Sequence, residues 1–440
     1  MNPSVAPPIV CPAPASASPV DEPEVPVSPF DPQPLLDGAV LIETTAQLER
    51  FLDDIADTDV LGVDTESAGF YRYKATVNLI QVSTRDRAAI IDPQAVKDLS
   101  PLRDFPRKSS CEWIFHGAGY DAGALFKFLG LEIPHLFDTR VAAELAGLPE
   151  LGLGALTERY LGLTLDKKLQ RCDWSRRPLT EGMKKYGLLD AICLVPLRDV
   201  LRAELTRLQR LSWVEEECAI LADNARHRTD PPSEDPFAFV IKGAARLAPR
   251  QLAVLKEVWE LRDRIARSMD RAPFMVVANQ ALLEIARQMP RSLAGLAAVS
   301  HMSGEFLRRH GKDLQAAIKR GCEAEPIRLP PPDEGRPREP PPTNWEAETT
   351  RALREIRDQT AQRLRVAPSL LASGHALFEI ARRRPASLED LRALGEFRNW
   401  QLDLLGEAFL ACLVRRGPPP AHAGRTRRRR RRSRRSGSEA

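Results

Sequence analysis

No stretch of this chain reaches eighteen consecutive apolar residues, so no membrane-spanning helix is expected. The start, MNPSVAPPIVCPAPASASPV, has neither a basic lead nor an apolar core, which argues against a secretory leader. Cysteines are few and scattered singly, at Cys11, Cys111, Cys172, Cys193, Cys218, Cys322 and Cys412. No pair has C-x-x-C spacing, so neither a zinc site nor a disulfide framework is indicated, and a reducing cytoplasm is the simplest compartment. Aromatic residues make up only 6% of the chain, whereas 43% is hydrophobic, which supports a globular body. A length of 440 residues exceeds what one core accommodates and predicts two or three domains.

Basic residues are missing from residues 1–38, which hold eleven prolines and five acids. Such a segment cannot bury enough apolar surface to offset its ordering entropy, and disorder is expected there. The opposite bias marks the end. From Arg425 onward there are nine arginines and one glutamate, so this tail carries +8 although the whole chain carries only +4. Basic character sits on an appendage at 418–440 that is expected to be disordered.

Between these ends the pattern is globular. AVLIETT reads as a strand and TAQLERFLDDIAD as an amphipathic helix. VLGVDTES, VNLIQVST, RAAIIDP and CEWIFHGA read as further short strands. After residue 121 helical patterns take over, ending in a long helix near 181–210. The order predicts an α/β domain with a mixed sheet over 39–215. Residues 248–321 and 348–417 then form an internal repeat at an offset of 95 residues. Aligning 272–296 with 367–391 gives twelve identities in 25. Each unit is helical, with Pro290 and Pro385 ending one helix and Ser292 and Ser387 placed to cap the next. The connecting 322–347 segment is proline-rich and reads as a stiff, exposed linker.

Five residues carry the chemistry. Asp64 and Glu66 stand two apart on a strand, so their side chains leave one face. Two carboxylates there repel each other unless a cation lies between them. Asp121 opens a helix in FHGAGYD, where, taken alone, a simple helix N-cap is the better reading. Tyr186 and Asp190 in KKYGLLD are four apart and share a helix face. Each motif alone is ordinary. Together they describe an all-oxygen cage for hard divalent metal ions, with a tyrosine beside it.

In this order the motifs resemble the ribonuclease D family, within the tyrosine-bearing branch of the DEDD 3′–5′ exonucleases. LFDTRVAAELAG and the string L-D-K, Q-R-x-D-W, R-P-L before the third motif also resemble that family. Gly187 stands where alanine is usual, which slightly loosens the helix and removes no ligand. The two repeats resemble HRDC domains, small helical modules found after the ribonuclease D catalytic domain and in RecQ helicases. The fold class implied is a ribonuclease H-like α/β mixed-sheet exonuclease domain followed by two small all-α HRDC domains.

The resemblance implies a 3′–5′ exoribonuclease that uses two divalent metal ions, Mg²⁺ or Mn²⁺, and releases nucleoside 5′-monophosphates. Asp64 is expected to bridge both ions, Glu66 and Asp190 to hold the ion that generates the nucleophile, and Asp121 to serve the ion near the leaving oxygen. Tyr186 is expected to orient the attacking water. Lys167, Lys168, Gln170, Arg171 and Trp174 form a polar string with one aromatic, read as a wall of the substrate cleft with possible base stacking. His116 and His135 are expected to be structural, because Mg²⁺ prefers oxygen. The expected substrates are 3′ ends of tRNA precursors and other small structured RNA, and the arginine tail is read as a contact to RNA or to the ribosome. Two other readings compete: a DNA exonuclease of the Werner type, and a non-catalytic RNA-binding scaffold.

Overall fold

In the computed structural model the described residues are 29–74, 76–108, 110–166, 168–227, 239–329 and 341–420. The arginine run and most of the proline-rich start lie outside them.

A six-stranded mixed sheet carries the first domain. Helix α1 (Gln33–Asp37) leads to β1 (Val40–Ile42), α2 (Thr45–Asp54), β2 (Val60–Ser67), β3 (Val77–Ser83), β4 (Ala88–Ile91), α3 (Ser100–Lys108) and β5 (Glu112–Phe115). Then come α4 (Asp121–Leu129), β6 (Leu136–Asp138), α5 (Thr139–Ala146), α6 (Leu153–Leu161), α7 (Glu181–Ile192), α8 (Leu194–Arg207) and α9 (Leu211–His227). The strand order is β1-β4-β3-β2-β5-β6. β3 runs antiparallel to both neighbours, while β1–β4, β2–β5 and β5–β6 are parallel. Every residue of β3 is buried, the polar Asn78, Gln81 and Ser83 along with the apolar Val77, Leu79, Ile80 and Val82, as befits a central strand covered on both faces.

Three sequence expectations need correcting. Residues 29–38 are ordered: the Phe30 amide bonds the Leu161 carbonyl at 3.1 Å, and Leu35 joins the core beside Leu188 and Ile192. Apolar Phe30, Leu35 and Leu36 outweigh the prolines there. The helix near 181–210 is two helices that break at Cys193, because Pro196 has no N–H for the carbonyl one turn back. β6 is a three-residue strand inside a stretch that reads as helical. Its length gives periodicity too little to register.

A helical body follows in the same compact unit: α10 (Pro249–Ser268), α11 (Pro273–Val276), α12 (Asn279–Gln288), α13 (Leu293–Ala297) and α14 (Gly304–Glu323). Its core is the apolar face of α10 with Leu282, Ile285, Leu296, Leu314 and Ile318. Ser292 caps α13 by accepting from the Gly295 amide at 3.1 Å. The second repeat belongs to another compact unit. It contains α15 (Asn344–Leu364), α16 (Pro368–Leu371), α17 (Gly374–Arg383), α18 (Leu388–Ala393) and α19 (Asn399–Arg416). Ser387 caps α18 through a capping box with Asp390. No helix among the described residues is long and apolar enough to cross a membrane.

Candidate active site

Asp64 and Glu66 lie on β2, with Gln81 and Leu79 as their partners on β3. Strand alternation sends both carboxylates to the face covered by α7. α7 brings Asp190 to them: carboxylate oxygens of Asp64, Glu66 and Asp190 lie within 4.8 Å of one another. Two glycines allow that approach. At Gly62, a Cβ would stand 2.6 Å from the Ala191 carbonyl oxygen, so β2 and α7 meet almost backbone to backbone. At Gly187, a Cβ would stand 2.6 Å from Nε2 of the fully buried Gln81. Gly187 therefore makes room for a side chain under the site rather than merely loosening a helix.

Asp121 begins α4 without capping it; Tyr120 holds the cap position and makes no side-chain cap bond. The Asp121 carboxylate instead accepts a hydrogen bond from the Thr65 hydroxyl, between the two acids of β2. It adjoins the group of three acids without belonging to it, yet its charge acts on both Asp64 and Glu66. The HGAGYD loop is held by a residue that motif reading passed over. Asp138, buried at the end of β6, accepts from the amides of Gly117 at 2.9 Å, Ala118 at 2.7 Å and Arg140 at 2.8 Å. Asp138 before the helix TRVAAELA carries the ordinary signal of an N-cap, but nothing local shows that it also clamps a loop twenty residues upstream.

Burial and mutual repulsion push these carboxyls upward. Asp64 rises well above the usual range, through burial and then the charges of Asp121, Asp190 and Glu66. Glu66 rises to about 9 through burial and then the charges of Asp190 and Asp121. Asp121 and Asp190 each rise to about 6, chiefly through burial. The charges acting on Asp64, Glu66 and Asp121 are other carboxylates, not lysine or arginine. A divalent cation with hard oxygen preference fits this donor set.

Tyr186 is half-buried on α7 and hydrogen-bonds Asp190. Burial and then the charge of Asp190 push its phenol upward, so it stays protonated at neutral pH. Its ring stacks against Trp174, with centroids 5.9 Å apart.

That contact corrects the reading of Trp174. The indole is 1% exposed and packs into the core with Leu179 and Met183, so it cannot offer a face to a base. The loop around it is fastened from below. Arg177 donates to Asp92 Oδ1 at 2.7 Å, to the Asn78 carbonyl at 3.0 Å and to the Trp174 carbonyl at 2.9 Å. Lys168, Gln170 and Arg171 are exposed, and Lys168 pairs with Asp166 at 3.3 Å. Lys167 lies outside the described residues. His116 is half-buried, hydrogen-bonded to Thr139 at 3.0 Å and lowered in pKa by desolvation, a structural histidine; His135 is exposed, and its carbonyl accepts from the Trp113 amide.

Comparison with known proteins places this arrangement. The family model described as a 3′–5′ exonuclease matches residues 39–206. The HRDC domain model matches 251–318 and 346–413. The fold and this match define the class: a 3′–5′ exonuclease with helical HRDC domains behind it. The chain is 32% identical over 380 residues to ribonuclease D of Acidiphilium cryptum, covering 85% of this chain and 93% of the relative. It is 31% identical over 375 residues to ribonuclease D of Nitrobacter hamburgensis, covering 84% and 94%. The crystal structure of Escherichia coli RNase D, described as an exoribonuclease involved in structured RNA processing, superposes with a TM-score of 0.56 at 27% identity, covering 85% of this chain and 98% of that one. The chain belongs to the ribonuclease D family and is a 3′–5′ exoribonuclease.

Proposed function

We propose that Asp64, Glu66, Asp121 and Asp190 hold two divalent metal ions, Mg²⁺ or Mn²⁺, and that the enzyme removes nucleoside 5′-monophosphates from the 3′ ends of tRNA precursors and other small structured RNA. The observation that carries this reading is the group of partly buried carboxylates with oxygens within 4.8 Å and no basic residue among the charges acting on it. When bound, such ions neutralise charge at the scissile phosphate and make water a better nucleophile.

The protein's own residues supply position. Asp64 and Glu66 are fixed by the β2–β3 ladder, and Asp190 by the close seat of α7 on β2 at Gly62. Thr65 orients the Asp121 carboxylate. Tyr186 remains a protonated phenol, so it serves as a positioner of water rather than as a base. With its hydroxyl hydrogen on Asp190, its oxygen accepts a hydrogen from the attacking water and aims it.

In this reading residues 39–215 are the catalytic domain, and 248–321 and 348–417 are HRDC domains that guide RNA to it. Lys168, Gln170 and Arg171 contribute phosphate contacts at the cleft. The scattered free cysteines suit a reducing cytoplasm. The test is purified protein with a 3′-extended tRNA and, alongside, a DNA oligomer of equal length, each with and without EDTA. Metal-dependent shortening of the RNA with release of 5′-monophosphates is expected. Equal activity on DNA would favour the Werner-type alternative.

A further inference from the structure

The hairpin between β2 and β3 leaves the carboxylate site after Ser67 and runs to the first helical body. Three contacts fix that seam. The Ala272 amide donates to the Tyr71 carbonyl at 3.0 Å. The Tyr73 hydroxyl bonds Asp263 at 2.9 Å and accepts from Arg267 at 3.0 Å, with the Arg267 guanidinium 5.3 Å from the Tyr73 ring centre. Arg72 reaches Asp270 at 3.7 Å and, through Nε, Ser175 at 2.8 Å.

Two aromatic rings stand on this fixed seam in the open. Phe70 of the hairpin is 54% exposed and Phe274 of α11 is 44% exposed, with centroids 5.0 Å apart. Exposed phenylalanines cost hydrophobic free energy, and a pair held in contact by two different domains is not a scattered surface residue. Neither domain owns the pair: the exonuclease domain supplies one ring and the helical body the other. Cations accompany it along the chain, with Arg72, Lys74, Arg267 and Arg271 partly or fully exposed in the same two segments. The acids there, Asp263 and Asp270, face Tyr73, Arg267 and Arg72. Phe70 is four residues from Glu66, so at full extension the two lie no more than about 14 Å apart.

We propose that Phe70 and Phe274 form a composite stacking platform for an unpaired base of the RNA, upstream of the 3′ nucleotide being removed, with Arg72, Lys74 and Arg267 holding the adjacent phosphates. Aromatic faces beside cations match single-stranded nucleic acid, because every base has a π-face and every linkage a charge. The platform lies outside the carboxylate group, so it engages only strands long enough to reach it. It rests on the exoribonuclease reading, and it assigns the first helical body a share of the substrate site.

The experiment measures binding without turnover. The full-length protein, in EDTA, is titrated against 5′-fluorescein-labelled oligoadenylates, a dinucleotide and an octanucleotide, by anisotropy. In wild type the octanucleotide binds more tightly. Phe274→Ala, and Phe70→Leu, which keeps apolar packing and deletes the π-face, should each reduce octanucleotide affinity by about tenfold, in line with one lost base stack. The advantage of the longer strand should shrink accordingly, and Phe274→Trp should restore it. Octanucleotide affinity equal to wild type in both Phe274→Ala and Phe70→Leu would overturn the proposal and leave the pair to a protein partner. An equal loss for both lengths would overturn it as well, since the site would not be upstream. Because no metal or cleavage enters the readout, failure here stays distinct from failure of the catalytic assignment.

Discussion

The indole of Trp174 lies against the phenol of Tyr186, with centroids 5.9 Å apart and planes inclined at 40°. A buried ring thus sets the attitude of the tyrosine that hydrogen-bonds Asp190. The indole should therefore matter to turnover through Tyr186, not to RNA affinity. Trp174→Leu should lower kcat on the order of 10²-fold, as expected when a reacting group is misplaced by about 1 Å. It should also cost about 3 kcal/mol of stability. Steady-state kinetics with RNA binding in EDTA check this; a matching loss of RNA affinity would return Trp174 to the cleft wall.

Gly187→Ala should destabilise the protein. Alanine favours a helix by about 1 kcal/mol over glycine. Here its Cβ would meet Gln81, whose Nε2 stands at 2.6 Å and whose Cγ and Cδ stand at 3.3 Å, with no exposure to move into. Overpacking of this kind costs about 1–3 kcal/mol and wins. In a double-mutant cycle with Gln81→Ala the penalty should vanish, whereas additive costs would show that the two residues do not collide.

The fold class, and the placing of Asp64 with Glu66 on one strand face and of Tyr186 with Asp190 on one helix face, are legible in the sequence because they depend on local pattern: strand alternation for the first pair, helical spacing for the second. What is hidden depends on residues far apart in the chain. The burial of Trp174 is decided by α7 and by Arg177 reaching Asp92. The clamp by Asp138 joins the end of β6 to the HGAGYD loop. The need for Gly62 appears only once α7 lies on β2. In the same way, the Phe70–Phe274 pair spans two domains, and neither segment alone announces it.

The raised carboxyls make stability fall with pH in the metal-free protein. In the unfolded chain these groups titrate near 4. In the fold Asp121 and Asp190 titrate near 6 and Glu66 near 9, with Asp64 also raised. The folded state therefore holds protons that the unfolded chain has already lost. Their contribution is complete below about pH 4 and is lost as pH rises through 6 and on toward 9. The Tm in EDTA should drop over that range, and less steeply in Glu66→Gln. Added Mn²⁺ should raise Tm more at pH 8 than at pH 5. An identical slope in Glu66→Gln would contradict this assignment.

Nine arginines in the last sixteen residues carry +8 once the single glutamate is counted. Deleting 418–440 should weaken binding of a tRNA precursor at low salt and make the slope of log K against log [salt] shallower. The loss should be similar for every RNA, since phosphate contacts read no base. Parallel salt slopes for full-length and truncated protein would show that the tail does not touch RNA.

The most direct test of the metal-centre assignment is Asp64→Asn, which removes charge from the centre of the carboxylate group with almost no change in size. Isothermal titration with Mn²⁺ and turnover of a 3′-extended tRNA should be measured on the same preparation, with circular dichroism to confirm the fold. The account predicts a folded protein with weakened metal binding, intact RNA affinity and turnover reduced to background. Near-wild-type hydrolysis by Asp64→Asn would contradict it.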